Sequence, residues 1–203
     1  MTTPPSLREA LIDAGLALLA EGGASALTLR RAAARAGVSH AAPAHHFAGL
    51  PGLMTAMAVR AYDSFAAALA RGRAAAADDP VARLHGLCRG YLDFAEGNAG
   101  LFHLLFVATE PDRGDADLGR ASSAAYGLLR ETCAPLTGGI PDVVFEVGVW
   151  SLVHGYALLG LQSPESSKRQ FIPVPSFDLV LDRHLGRTVA SPQMPLATAC
   201  GSG

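Results

Sequence analysis

Glycine and proline divide this chain into segments of helical length, and the spacing of these helix-breaking residues constrains the fold more than any other sequence feature. Between the breaks, apolar residues recur at helical spacing, as at Leu7, Leu11, Ala14 and Leu18, and no stretch shows convincing strand alternation. Only 6% of the residues are aromatic, so the core must use small and aliphatic side chains, which suit packed helices. The sequence predicts an all-α protein.

Local signals place the ends of the predicted helices. Gly22 and Gly23 are expected to end the first helix, Thr28 to cap the second, and Ser39 to cap a third that carries Pro43 in its first turn. Residues 163–176 are predicted as a long loop and residues 190–203 as a flexible tail. The predicted helices cover residues 7–21, 28–36, 40–47, 53–76, 80–96, 100–109, 116–134, 141–161 and 177–188.

The charge and cysteine content exclude several classes of protein. A formal net charge of −2 excludes a generally basic protein that coats nucleic acid, so any DNA contact must be local. Cys88, Cys133 and Cys200 are far apart and lack Cys-x-x-Cys spacing, which argues against a disulfide framework and a zinc site. A cytoplasmic location fits best, and no secretory signal is predicted at the N-terminus.

Residues 143–161 are long enough to cross a membrane, and Glu146 is their only formal charge. Ser151 and His154 interrupt the stretch further, and no cluster of Arg or Lys flanks either end. We therefore expect no membrane partner. An apolar helix of this kind is instead expected to be buried between protein surfaces, including those of a partner subunit.

Residues 28–47 have the form of a helix, a glycine turn and a second helix, which is the helix-turn-helix layout. Gly37 supplies the turn conformation, and Val38 and Phe47 are expected to anchor the unit to the first helix. The second helix is then free to enter a major groove with its first turn facing the bases.

This region resembles the tetracycline-repressor (TetR) family of bacterial regulators, and a Trp150, His154, Gly155 pattern resembles a subset of that family. The resemblance implies a helix-turn-helix DNA-binding head at residues 1–52, a helical ligand-binding and dimerisation domain at 53–190, and a tail at 191–203. The matching residues are Leu11, Ile12, Asp13, Ala14, Gly23, Thr28, Ala33, Ala36, Gly37, Val38, Ser39, His46, Phe47 and Leu53.

The chain departs from the family pattern at Ala44, where Tyr is usual, at Leu50, where Lys is usual, and at Ala32, where Ile is usual. Tyr and Lys at those positions normally touch phosphates. Up to residue 50, four Arg and three acids leave a net charge of only +1, and the rest of the chain carries −3. The predicted DNA-binding residues are Thr28, Arg30, Arg31, Ser39, His40, Ala41, Ala44, His45 and His46.

A helical wheel separates two faces of residues 141–161. One is shallow and suits close approach of a second helix, while the other carries Trp150 and His154. We expect this helix and the one at 177–188 to form a four-helix bundle with the same pair of a second subunit; packing within the chain is the alternative for the glycine face. The predicted dimer interface is Val144, Gly148, Ser151, Gly155, Leu159 and Leu181.

The ligand pocket is predicted from aromatic and imidazole side chains of the C-terminal region, although each of them also suits an ordinary core. Few charges there look buried, which favours an apolar or aromatic, uncharged effector. The candidates are Tyr91, Phe94, Phe102, His103, Phe106, Tyr126, Trp150 and His154.

Together these features predict a homodimeric, ligand-responsive transcriptional regulator, a repressor that binds operator DNA. A helical small-molecule-binding or interaction protein with a decayed DNA-binding head is the alternative. No catalytic motif is present, and neither a cofactor nor a metal is expected, since His40, His45 and His46 cannot converge on one ion.

Overall fold

The computed structural model describes residues 6–108, 111–162 and 174–187, and within these ranges the chain is helical and forms no strand. The all-α prediction is confirmed. The helices are α1 (Leu7–Ala26), α2 (Leu29–Arg35), α3 (Gly49–Ala75), α4 (Pro80–Gly97), α5 (Ala99–Phe106), α6 (Ala116–Cys133), α7 (Val143–Leu158) and α8 (Phe177–His184).

Short polar side chains begin most of these helices by accepting a hydrogen bond from a free backbone N–H of the first turn. Thr28 does so at 3.1 Å from the Arg31 nitrogen, as its position predicted. The carboxylates of the three aspartate N-caps also face the positive end of the helix dipole. The capping residues are Ser6, Thr28, Asp79, Asp115, Asp142 and Ser176.

Helix α1 continues beyond the predicted stop at residue 21, but it is interrupted where the glycines indicated. Gly23 adopts φ 64° and ψ −165°, which no helical residue has, and the chain then turns helically once more to Ala26. At the end of α2, Gly37 has φ +71°, and the Val38 N–H reaches back to the Ala33 carbonyl at 3.0 Å. This glycine closes α2 as predicted.

The third predicted helix is wrong as an α-helix, because residues 40–47 form only a single 3-10 turn at Ala42–His45. The Ala42 N–H donates to the Ser39 carbonyl at 3.0 Å, which is the i to i+3 pattern. Pro43 has no N–H to donate and disfavours the α conformation of the residue before it. The Ser39 hydroxyl therefore caps no α-helix here.

Helix α3 runs across the predicted boundary between residues 52 and 53 and makes its largest contact with α4. Glycines let the two backbones touch: a Cβ at Gly72 would lie 2.2 Å from the Gly86 carbonyl oxygen, and one at Gly90 would lie 2.4 Å from the Ala68 carbonyl oxygen. No larger residue fits at this crossing without a backbone shift.

Polar and charged side chains of α4 bind aspartates of α8. The His85 ring lies between two carboxylates, with Nδ1 3.0 Å from Asp178 and Nε2 3.0 Å from Asp182. Arg89 adds an ion pair to Asp178 at 3.0 Å. The predicted long loop lies largely, and the predicted tail entirely, outside the described residues.

Within the described ranges, no helix combines the length and the hydropathy needed to cross a bilayer.

Candidate functional site

All residues predicted to contact DNA are exposed and lie on α2, the glycine turn and the 3-10 turn. Arg30 and Arg31 stand in the first turn of α2, and no ion pair among the described residues involves either of them. Arg35, in contrast, is held by both oxygens of Glu21 at 2.7 and 2.8 Å. Of these three α2 arginines, Arg30 and Arg31 are thus the pair left to bind an anion.

Two of the three positions that depart from the family pattern, Ala44 and Leu50, differ in their surroundings. Ala44 is exposed on the 3-10 turn, so a larger side chain would reach solvent there. Leu50 is half-buried and packs against the hydrophobic core. Phe47 is buried as expected, and the Arg8 guanidinium lies over its ring at 5.5 Å from the centroid.

Most of the predicted ligand residues meet in one group, which we call the aromatic cluster. Phe106 of α5 lies at its centre, with ring centroids 5.0 Å from Phe102, 5.1 Å from His154 and 6.4 Å from Trp150. The cluster comprises Tyr62, Phe65, Tyr91, Phe94, Phe102, Phe106, Tyr126, Trp150 and His154. Its rings pack against one another, so a ligand that enters must part them.

His103 is not part of the cluster. Phe102 and Phe106 are one turn apart and face inward, which leaves the intervening His103 on the exposed side of α5. Phe65 of α3 was missed, although it is 1% exposed and contacts four other rings. Its place in the buried stripe with Ala61 and Leu69 is the sequence signal that points to it.

Tyr91 and His154 form the polar pair of the cluster, with the Tyr91 hydroxyl 2.7 Å from His154 Nδ1. Burial lowers the pKa of His154 and, with smaller contributions from Tyr62 and Cys88, raises that of Tyr91. Tyr91 is thus the donor and neutral His154 the acceptor, which places the imidazole proton on Nε2. That N–H is the polar group which His154 can offer a ligand.

The lowered pKa of His154 predicts acid sensitivity. As the pH is lowered from about 7.5 to 5.5, the unfolded chain binds a proton at this residue more readily than the folded chain does. The free energy of unfolding therefore decreases as the pH is lowered. His154→Gln keeps an acceptor for Tyr91 without titrating. We expect urea unfolding to show a smaller acid loss for this variant than for the unmodified chain. His103→Gln makes the same substitution on the exposed side of α5 and is the control; equal acid losses for all three chains would contradict the prediction.

One buried charge was missed altogether. The Glu146 side chain has no exposed surface, although its position in the sequence indicates only an interruption of an apolar stretch. The Tyr126 hydroxyl donates to Glu146 Oε2 at 2.6 Å, and Arg130 Nε lies 3.6 Å from the same oxygen. This carboxylate joins α6 to α7 beside the aromatic cluster.

The predicted dimer face divides into exposed and internal residues. Val144 and Leu159 of the α7 region are 84% and 66% exposed, and Ser151 is exposed as well. Leu181 was predicted wrongly, because it is fully buried against its own chain and cannot reach a partner.

The two glycines of the predicted interface are not equivalent. A Cβ at Gly148 would lie 3.2 Å from His184 Nε2 of α8, so close packing within the chain already accounts for this glycine. Gly155 has no neighbouring atom within 4 Å of a Cβ position. The exposed apolar residues on and around this face are Ile140, Val143, Val144, Val147, Leu158 and Leu159.

Family models match both regions of the chain. Residues 11–57 match the model described as bacterial regulatory proteins of the tetR family, and residues 84–184 match a tetracyclin repressor-like C-terminal domain. The chain is also 40% identical over 86 residues to the HTH-type transcriptional regulator BetI of Burkholderia thailandensis. That match spans 42% of this chain and 44% of the relative.

Solved structures share the whole fold. A protein of unknown function from Rhodococcus sp. RHA1 is 26% identical with a TM-score of 0.72, over 90% of this chain and 94% of its own. A putative tetR family regulator from Shewanella sp. PV-4 has a TM-score of 0.61 at 17% identity, over 82% and 90% of the two chains. The matched families are transcriptional regulators and not enzymes. With both of its regions matched in the expected order, the chain belongs to the TetR family of bacterial transcriptional regulators.

Proposed function

We propose that this chain is a homodimeric repressor that binds operator DNA through α2, the glycine turn and the 3-10 turn, and that a small effector releases it. The exposed pair Arg30 and Arg31, unpaired among the described residues, carries this proposal. Both stand beside the free N–H groups at the start of α2, where a helix favours a phosphate. This role places the protein in the cytoplasm, with its operator.

A second copy of the chain is the partner that suits α7. Val144 and Leu159 leave apolar surface exposed on one face of the helix, and Ser151 and Gly155 between them are small enough for a second helix to approach. A dimer is also what a palindromic operator requires, since two DNA-binding heads must meet half-sites roughly 34–36 Å apart.

The aromatic cluster supports the response to an effector. Its rings come from α3, α4, α5, α6 and α7, and a ligand between them must shift at least one of these helices. A ligand that binds this shifted form more tightly weakens DNA binding by its differential affinity, typically about 1–3 kcal/mol. Trp150 and His154 in the cluster support the subset of the family suggested by the sequence, and the rings favour an effector with an aromatic or apolar body.

Replacing both Arg30 and Arg31 with Ala is expected to weaken operator binding at least tenfold and to reduce the salt slope by about one for each phosphate that the variant no longer binds. The operator is first selected from fragments of the source genome, and binding is then titrated against salt. Arg120→Ala, an exposed arginine on α6, is the matched control and should change neither value. An unchanged slope for the double variant would place the phosphate contacts elsewhere.

A second candidate function is a helical ligand-binding or interaction protein whose DNA-binding head has decayed. The single 3-10 turn at Ala42–His45, in place of a recognition helix, favours it. The exposed Ala44 within this turn offers no side-chain contact to a phosphate. The same selection separates the two functions, since a decayed head would bind no genomic fragment better than random DNA, even at low salt.

A further inference from the structure

Glu146 occupies a position that is costly for a carboxylate. The first turn of α7, in which it lies, favours a negative charge, but its side chain is completely withdrawn from solvent between α6 and α7. A charge in such a place requires compensation by ion pairing and by hydrogen bonds to both of its oxygens.

Only one of the two oxygens is compensated. Oε2 accepts from the Tyr126 hydroxyl at 2.6 Å and lies 3.6 Å from Arg130 Nε. The guanidinium of Arg130 lies 5.2 Å from the centroid of the Tyr126 ring. Because the Arg130 side chain is half exposed, solvent screens its attraction to the Glu146 carboxylate. Oε1 is buried, and no donor among the described residues reaches it. The site has an acceptor without a donor.

The surroundings of Glu146 are apolar and aromatic. Trp150 lies one turn further along α7, and its ring centroid is 5.6 Å from that of Tyr126 and 6.4 Å from that of Phe106. On α6, burial and the nearby Glu146 charge raise the pKa of Cys133 to about 12, so its thiol stays neutral. The buried carboxylate is therefore the charged end of the aromatic cluster.

We infer that the effector carries a protonated amine which binds Glu146 Oε1, while its apolar or aromatic body packs against Trp150, Tyr126 and Phe106. An ammonium supplies both the missing donor and the missing positive charge. A neutral ligand would leave the charge uncompensated, and an anion would be repelled. This inference rests on the proposed ligand response and replaces the sequence expectation of an uncharged effector.

Three probes of nearly equal shape test the inference on the full chain: 2-phenylethylamine, 2-phenylethanol and phenylacetate. Trp150 is the only tryptophan of the chain, so its fluorescence reports on the site directly, and calorimetry provides the dissociation constants. We expect the amine to bind at least tenfold more tightly than the alcohol, and the acid to bind weakest.

Two variants test the role of the carboxylate. Glu146→Gln keeps the shape and removes the charge, so the preference for the amine over the alcohol should fall below threefold. Arg130→Gln removes the competing cation from the surface, and the preference should rise at least twofold. Circular dichroism tests whether each variant is folded. If Glu146→Gln does not fold, the amine preference of Arg130→Gln decides whether the inference holds.

Equal binding of the amine and the alcohol, a preference that survives Glu146→Gln, or a failure of all three probes to bind would overturn the inference and leave Oε1 to a water molecule. The genomic selection is done without effector and keeps the two proposals apart. Operator binding without amine preference would refute the inference alone. Amine binding that depends on Glu146, without operator binding, would refute the regulator and retain the site.

Discussion

Gly90→Ala is expected to lower the free energy of unfolding by about 2–3 kcal/mol, because the new methyl group meets backbone that cannot yield. Its Cβ would lie 2.4 Å from the Ala68 carbonyl oxygen and 3.0 Å from the carbonyl carbon. The gain in helix propensity, about 1 kcal/mol, offsets only part of this overpacking. Urea unfolding followed by circular dichroism measures the change.

Gly127→Ala is the matched control for this prediction. Gly127 lies inside α6 with nothing within 4 Å of its Cβ position, so the same substitution should stabilise the chain by about 0.5–1 kcal/mol. Changes of opposite sign in the free energy of unfolding of the two variants would establish the close crossing of α3 and α4 in solution. A Gly90→Ala chain as stable as the unmodified protein would refute it.

The second large effect is expected at the exposed face of α7. Val144→Asp should convert the proposed dimer into a monomer at micromolar concentration, because a twofold axis buries two unpaired carboxylates at once. We expect dimer dissociation to become at least thirtyfold more favourable, corresponding to about 2 kcal/mol, and operator binding to weaken with it. Light scattering and operator titration measure the two changes.

Ser123→Asp places the same charge on the exposed surface of α6 and should leave the dimer intact. A dimer that tolerates Val144→Asp would place the interface on another face. An unmodified chain that is monomeric at micromolar concentration would remove the homodimer from the proposal entirely.

Helix positions were predictable from sequence because their signals are local. Thr28 and Gly37 delimit α2 through hydrogen bonds and a backbone angle that depend on a few neighbouring residues. The rings of α4, α5 and α7 were predicted to meet for a related reason, since Tyr91, Phe106 and Trp150 each lie on the apolar side of their helix.

The errors arose where tertiary packing or a single residue decided the outcome. Pro43 is tolerated in the first turn of a helix, yet here it removes the hydrogen bond with which an α-helix would have continued. Leu181 and His103 were chosen by residue type and position in the sequence, whereas the neighbouring helices decide which face of each helix is covered. Nothing local marks Glu146 as buried, because its burial depends on Tyr126 and Arg130 of another helix.

The glycine contact between α3 and α4 also determines how a signal can travel. Two helices whose backbones touch at Gly72, Gly86 and Gly90 cannot slide or separate without opening a void. We therefore expect α3 and α4 to move together as one rigid body. The N-terminal end of α3, at Gly49, follows the 3-10 turn in the chain. In the proposed ligand response, a small rotation imposed at the aromatic cluster is magnified with distance along α3 and displaces the surface proposed to contact DNA.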